Sequence, residues 1–352
     1  MSTAADPPRQ NSRSPRNNST LPRIVEPHHH FVAASMGTFH GPLQKLGVPD
    51  YTPEQLEADM GDLQISKAVH VECIASSGLG EAEYVEQLIA TNRTPTKGIV
   101  AGCDLSADDV DAELRNLKER APHVVGIRHI LDYDGPFGDA PATHVATTRH
   151  LADGTPAPGI LGGPGVDFLR HPEAGRKFEA GYALLAKHGL RFDLQCAPAQ
   201  LDAAAALIAR HPDVPVVLDH LAKPRLGGDM AADTEELVKW RRGMTQMAAM
   251  KNVYVKLSML GYAVPGWVDD VEKEALISSL VCEVIDLFGP KRCMFSANWW
   301  SGGVMANSDG RDKCDISMTD LWQRYHKWVK ERYTDDDLRS LFAESAETFY
   351  GI

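Results

Sequence analysis

The segment Ile24-Val25-Glu26-Pro27-His28-His29-His30-Phe31 sets two histidines one residue apart at the end of an apolar run. In an extended strand alternate side chains share a face, so His28 and His30 point one way and His29 the other. Two imidazoles converging at a strand end can bind one metal ion or act as an acid/base pair near neutral pH. The run lies inside an apolar strand, which argues against a surface tag; ordinary buried histidines are the plain alternative. Further polar residues stand at the ends of other apolar runs. They are Glu72, Arg128 with His129, Asp193 with Gln195, Asp219-His220 followed by Lys223, Lys256 with Ser258, and Asn298-Trp299-Trp300. Taken singly each is weak: Asp193 and Asp219 can cap helices, and Lys256 can pair with a carboxylate.

The elements that must position these residues follow from the hydrophobic pattern. Short runs rich in Val, Ile, Leu and Phe occupy residues 23–30, 66–73, 98–104, 124–130, 191–196, 214–219, 253–257 and 293–296. They show little polar alternation, as expected of parallel strands covered on both faces. Helical stretches lie between them, at residues 53–63, 81–91, 107–120, 168–188, 199–210, 234–250 and 271–288, and two more at 319–332 and 335–349 close the chain. Thr52, Pro53 and Gln55 form a capping-box start, Ser106 is a plausible N-cap, and Gly189 and Gly289-Pro290 are stop signals. Strands alternating with helices in this way predict an α/β protein: a single (β/α)8 TIM barrel. A doubly wound sheet lacks support, because no GxGxxG opens the first helix. Barrel enzymes keep their chemistry at the C-terminal ends of the strands, where the polar residues above fall.

Two segments stand outside this alternation. Residues 1–21 are polar and rich in Pro, Ser, Asn and Arg, and read as a disordered tail before a barrel at 22–352. Residues 132–166, dense in Gly and Pro, form a long insertion after strand four, expected to act as a lid or substrate wall over the catalytic face. The net charge of −12 argues against nucleic-acid or anionic-membrane partners, leaving a small-molecule substrate. No apolar stretch approaches the roughly 18 residues of a membrane span. The six cysteines, without CxxC pairs, read as buried thiols of a reducing, cytoplasmic compartment. Oligomeric state is not legible.

The ordered set of phrases resembles the amidohydrolase superfamily, in its amidohydrolase-2 branch of TIM-barrel hydrolases related to L-fuconolactonase and 2-pyrone-4,6-dicarboxylate lactonase. The matching phrases are His28-x-His30, Gly126-Ile127-Arg128-His129-Ile130-Leu131, Phe192-Asp193-Leu194-Gln195, Asp219-His220-Leu221-Ala222-Lys223-Pro224, Val255-Lys256-Leu257-Ser258 and residues 288–295 and 343–350. The resemblance spans about residues 23–352. Glu26 replaces the family's usual opening Asp, Asn298 replaces the Asp after strand eight, and the Gly/Pro insertion is longer than the family pattern. A sub-branch with Asn at the strand-eight position looks similar.

The resemblance implies a hydrolase that opens a lactone or related cyclic ester, with His28, His30, His220 and Asn298 as catalytic residues. A neutral amide cannot take a proton from water, so base work moves to the histidines while Asn298 orients water or stabilises an oxyanion. The cofactor expectation is either none or one divalent metal, zinc first, held by His28, His30 and His220. Arg128, His129, Gln195 and Lys223 are the expected substrate contacts, and Trp299 and Trp300 an apolar wall. Two other readings stand beside this one: a decarboxylase, isomerase or cyclase using histidine acid/base chemistry on the same barrel, and a non-catalytic ligand-binding barrel.

Overall fold

A computed structural model describes residues 21–45, 48–133, 166–227, 230–299 and 316–352. The expected tail, most of the Gly/Pro insertion, Trp300 and Cys314 lie outside the described residues. Eight parallel strands, β1 (Ile24–His29), β2 (Ile65–Val71), β3 (Thr96–Gly102), β4 (Val124–Arg128), β5 (Arg191–Leu194), β6 (Val216–Leu218), β7 (Val253–Leu257) and β8 (Cys293–Phe295), pair in sequence order. The helices are α1 (Gly41–Lys45), α2 (Pro53–Met60), α3 (Gly78–Ala90), α4 (Val110–Arg120), α5 (Pro172–His188), α6 (Leu201–Arg210), α7 (Met230–Ala248), α8 (Leu260–Ala263), α9 (Val271–Phe288), α10 (Met318–Val329), α11 (Asp335–Arg339) and α12 (Ser345–Tyr350). This is the single (β/α)8 barrel that the alternation predicts.

Local chemistry explains most boundaries. Thr52 and Gln55 exchange both capping-box hydrogen bonds at the start of α2, and Gly189 ends α5 at φ 64°. The helix expected to open after Ser106 instead starts at Val110, because the Ser106 backbone N–H and hydroxyl both donate to Asp104 Oδ1 (2.9 and 2.6 Å) and hold a turn there. The α3 helix starts earlier than expected, at Gly78, with Ser77 as its cap. Gly181 lets α5 lie against the chain after β3: a Cβ there would stand 2.0 Å from the Leu105 carbonyl oxygen. The single closing helix expected at residues 335–349 is interrupted by a π turn at Ser340–Glu344.

Alternation along each strand sorts the core into two shells. Outward side chains such as Phe192, Leu194, Val255, Leu257 and Phe295 join the large core under the helices. Inward ones, Val25, Val69, Val71, Val100, Val217 and Met294, form a second cluster closed by Ala343, Ala346, Phe349 and Tyr350 of the final helical run. That run is tied to the sheet by an Arg23–Glu347 ion pair, by Lys67 donating to the Ile352 carbonyl (3.0 Å) and by Arg191 donating to the Phe349 carbonyl (2.8 Å). Five cysteines (73, 103, 196, 282 and 293) are buried free thiols. No helix among the described residues is long and apolar enough to cross a membrane.

Candidate active site

The barrel closes at the first motif. The Trp299 N–H donates to the His28 carbonyl (3.2 Å), and the His30 N–H donates to the Trp299 carbonyl (3.3 Å). Glu26 braces the same seam: its carboxylate accepts from the His28 N–H (2.9 Å), the Ser296 hydroxyl (2.8 Å) and the Ala297 N–H (2.8 Å). Burial pushes this carboxyl up to about 7 despite those bonds. Glu26 at the opening position therefore stitches β1 to the chain after β8, and so sets the distance between His30 and Asn298.

His28 and His30 face each other edge to face, with ring centroids 4.9 Å apart, and His220 lies 4.7 Å from His28. The His30 Nδ1 is 2.8 Å from the Val71 carbonyl, which can only accept, so the ring's proton is on Nδ1. Asn298 Oδ1 stands 3.2 Å from its Nε2; because that nitrogen carries a lone pair, the two groups bond when the amide is turned to present its N–H. An amide suits this place where a carboxylate, an acceptor only, would face a lone pair. His220 Nδ1 meets the Ser258 hydroxyl at 3.0 Å.

Below the histidines lies a buried chain of alternating charge. Lys256 of β7 places Nζ 2.5 Å from Asp193 Oδ2, 3.1 Å from Asp219 Oδ1 and 3.0 Å from His28 Nδ1. Tyr350, rising from α12, donates to the same Asp193 oxygen (2.8 Å). Arg128 pairs with Glu72 (2.6 Å), donates to Gln195 Oε1 (3.2 Å) and stands 3.9 Å from Asp219 Oδ2. Gln195 Nε2 and Lys223 Nζ both donate to Asp132 Oδ2, at 2.8 and 3.0 Å. Burial raises Asp193 to about 6 against the pull of Lys256. Burial also opposes the charged form of Asp219, but Lys256, His220 and Arg128 outweigh it and hold that carboxyl below its usual range. Burial, with nearby cations and imidazoles, lowers His28 and His220 well below ordinary histidine and His30 to about 3. All three rings are therefore neutral at pH 7 and act as hydrogen-bonding groups rather than cations.

The loops that carry these groups are held in a sparsely populated backbone region. His220, Leu221, Ala222 and Lys223 are four successive left-handed residues (φ 53–57°), and Ile74, Met259 and Asn298 adopt the same region after β2, β7 and β8. Such residues cost about 1 kcal/mol or more each. The run after β6 is held by Ala222 N–H to the Asp219 carbonyl (3.0 Å), Lys223 N–H to the His220 carbonyl (2.8 Å) and Trp240 Nε1 to the Leu221 carbonyl (2.8 Å).

Among the described residues, ligand atoms of His28, Asp219 and His220 lie within 4.8 Å of one another and by spacing fit one divalent cation. The His28 Nε2 and the Asp219 carboxylate lack hydrogen-bond partners there. His30 stands beside this set with its Nε2 turned to Asn298. Not every expected residue joins the cluster. His129 lies on the opposite face of β4 from Arg128, because neighbours along a strand alternate; its ring packs on Phe168 and Phe178 and its Nδ1 accepts from the Leu105 N–H (3.2 Å). Its ring is thus directed to the Phe168–Phe178 packing rather than to Arg128. Trp299 is half-buried and donates to Asp59 (2.7 Å). Lys256, Asp193 and Asp219 are the central charged groups that weighing residues singly passes over. The available signal was parity: an ionisable residue alternating with Phe192 and Leu194, or with Val255 and Leu257, must point into the barrel.

A closed eight-stranded parallel barrel with histidines, carboxylates and a lysine converging at the C-terminal strand ends defines a TIM-barrel enzyme scaffold. The chain belongs to the amidohydrolase family: the family model Amidohydro_2 matches residues 25–352. An L-fucono-1,5-lactonase of Burkholderia multivorans is 32% identical over 335 residues, covering 93% of this chain and 96% of that protein. One of Burkholderia ambifaria is 24% identical over 277 residues, 78% of this chain and 79% of its own length. In three dimensions the chain resembles an amidohydrolase from Burkholderia multivorans crystallised with bound zinc, with a TM-score of 0.66 and 22% identity over 94% of this chain and 99% of that one. At that identity the structural likeness speaks for the fold.

Proposed function

We propose that this amidohydrolase opens the ring of a lactone, with sugar-acid lactones of the L-fucono-1,5-lactone type as the first substrates to try. The reading is supported by relatives named for that activity over nearly the whole chain. The observation that carries it is the mouth of the barrel, where three neutral imidazoles converge and the His28 Nε2 is buried without a hydrogen-bond partner among the described residues. The lactone carbonyl oxygen sits against His28. Water approaches from the His220 side, and His220 receives its proton while Ser258 holds the ring and the adjacent Asp219 stabilises the imidazolium. His30, an acceptor at Nε2, and Asn298 hold the attacking water. Arg128, already bonded to Glu72 and Gln195, acts as a fixed positive charge beside Asp219. The five buried thiols fit a cytoplasmic setting.

The test is a panel of five- and six-membered sugar lactones and 2-pyrones given to the folded protein, with product mass recorded. Hydrolysis adds one water. A panel without ring-opened product, from protein shown to be folded, sinks the reading; loss of CO2 from a carboxylated substrate would replace it with a decarboxylase.

A further inference from the structure

Lys256 touches His28 from below, and its contacts determine where the ring keeps its proton. An ammonium has three N–H donors and no lone pair. Paired with Asp193 and Asp219, Lys256 is charged, and its third neighbour is His28 Nδ1 at 3.0 Å. Nδ1 must accept there. The rival arrangement, an Nδ1–H donating to Asp219 Oδ1 at 3.5 Å, is longer and would press an N–H against an ammonium. A neutral imidazole that accepts at Nδ1 carries its hydrogen at Nε2. Among the described residues that Nε2 is buried at the mouth of the barrel without a hydrogen-bond partner.

We propose that Lys256 is a positioning residue which fixes the His28 ring with its proton on Nε2, making His28 a hydrogen-bond donor for the substrate carbonyl and withholding it from a divalent cation. A metal needs the Nε2 lone pair, and histidines that bind metals usually direct the other ring N–H to a carboxylate or carbonyl rather than face a cation. His30 is built the opposite way, with the Val71 carbonyl holding its proton at Nδ1. The two histidines of one motif thus present a donor and an acceptor side by side. Tyr350 and Asp193 support the lysine from beneath, so the final helix reaches the site through Tyr350, Asp193 and Lys256. The carbonyl-donor role rests on the lactonase reading; the tautomer does not.

The test is 15N–1H correlation of the histidine rings in substrate-free protein, with the His28 signals assigned by their loss in His28→Gln. Wild type should show His28 protonated at Nε2 and His30 at Nδ1. Lys256→Gln, whose amide can still donate, should keep the Nε2 proton, and Lys256→Met should lose the preference. Zinc alone should bind Lys256→Met at least tenfold more tightly than wild type. Because Lys256→Met leaves buried carboxylates exposed to each other and can misfold, the wild-type spectrum decides the matter by itself. His28 protonated at Nδ1, or one zinc per wild-type chain with His28 ligated, would overturn the proposal. If the Nε2 proton is found and no lactone is opened, the tautomer stands and the lactonase reading falls; if lactones are opened with the proton on Nδ1, the reverse holds.

Discussion

Three successive histidines lead to two buried clusters on opposite sides of one strand. On the inner side, His28 and His30 meet His220, Asn298 and Lys256, all of them side chains. On the outer side, His29 bonds Thr96 (2.8 Å) and meets His70 edge to face. His70 accepts from the Phe31 N–H (3.2 Å) and His40 from the Ala33 N–H (3.0 Å). Glu81 gathers this outer group, accepting from His40 (2.9 Å) and from the Cys73 N–H (2.8 Å). The residue types are nearly the same, yet the outer rings tie down backbone while the inner rings face one another across the mouth of the barrel. A buried histidine that accepts from a loop N–H is holding a loop in place. One bordered by a lysine and two further histidines at the strand ends is available to a ligand.

The contrast can be broken most directly by removing one ring from each cluster. His220→Ala should lower kcat/KM on an accepted lactone by about 10³ or more, with a small change in Tm, whereas His40→Ala should lower Tm and leave kcat of the remaining folded enzyme close to wild type. Equal effects on activity from the two variants would erase the distinction.

Acid unfolding sharpens it next. Burial opposes the charged form of Glu81, but hydrogen bonds from His40 and His70 prevail and set its carboxyl at about 2, against an ordinary 4.5. A folded value below the unfolded one means the stabilisation is full above about pH 4.5 and is lost as pH falls towards 2. Glu81→Gln should therefore cost about 2 kcal/mol at pH 7 and flatten the decline of stability between about pH 5 and 2, as read by urea unfolding across that range.

A smaller effect is expected at the inner amide. Asn298→Asp puts an acceptor opposite the His30 lone pair, so the pair must take up a proton to bond. Activity should fall about tenfold at pH 8 and recover in part towards pH 6, in a pH–rate profile of kcat/KM. A uniform gain in activity would show that the amide is a handicap. The smallest change belongs to His129→Phe, which removes the acceptor for the Leu105 N–H beneath Phe168 and Phe178. It should cost about 1 kcal/mol in thermal unfolding and leave KM unaltered; a raised KM would return His129 to the substrate contacts.

How much was legible in advance varies with the range of the interaction. The eight strands and most helices could be read locally, since apolar runs, the Thr52–Gln55 box and the Gly189 stop act within a few residues. The opposed faces of His28 and His29 follow from strand geometry alone. The same rule would have turned His129 away from Arg128 had strand four been numbered by parity. It would also have brought Lys256 and Asp193 inward. The Asp104 turn that delays α4 competes with a helix cap at the same serine, and local propensity ranks the two nearly equal.

The amino-acid order therefore determined the barrel, the level at which the polar residues stand, and the family to which the chain belongs. Tertiary structure alone decided who meets whom: Glu26 with the chain after β8, Lys256 with His28 and two carboxylates, Tyr350 with Asp193. Periodicity acts over a few residues and survives in the sequence. The His28–Lys256 contact joins positions 228 residues apart, and only closure of the whole sheet brings them within 3.0 Å. The protonation of each ring depends on that neighbour, and so does the chemistry the ring can perform.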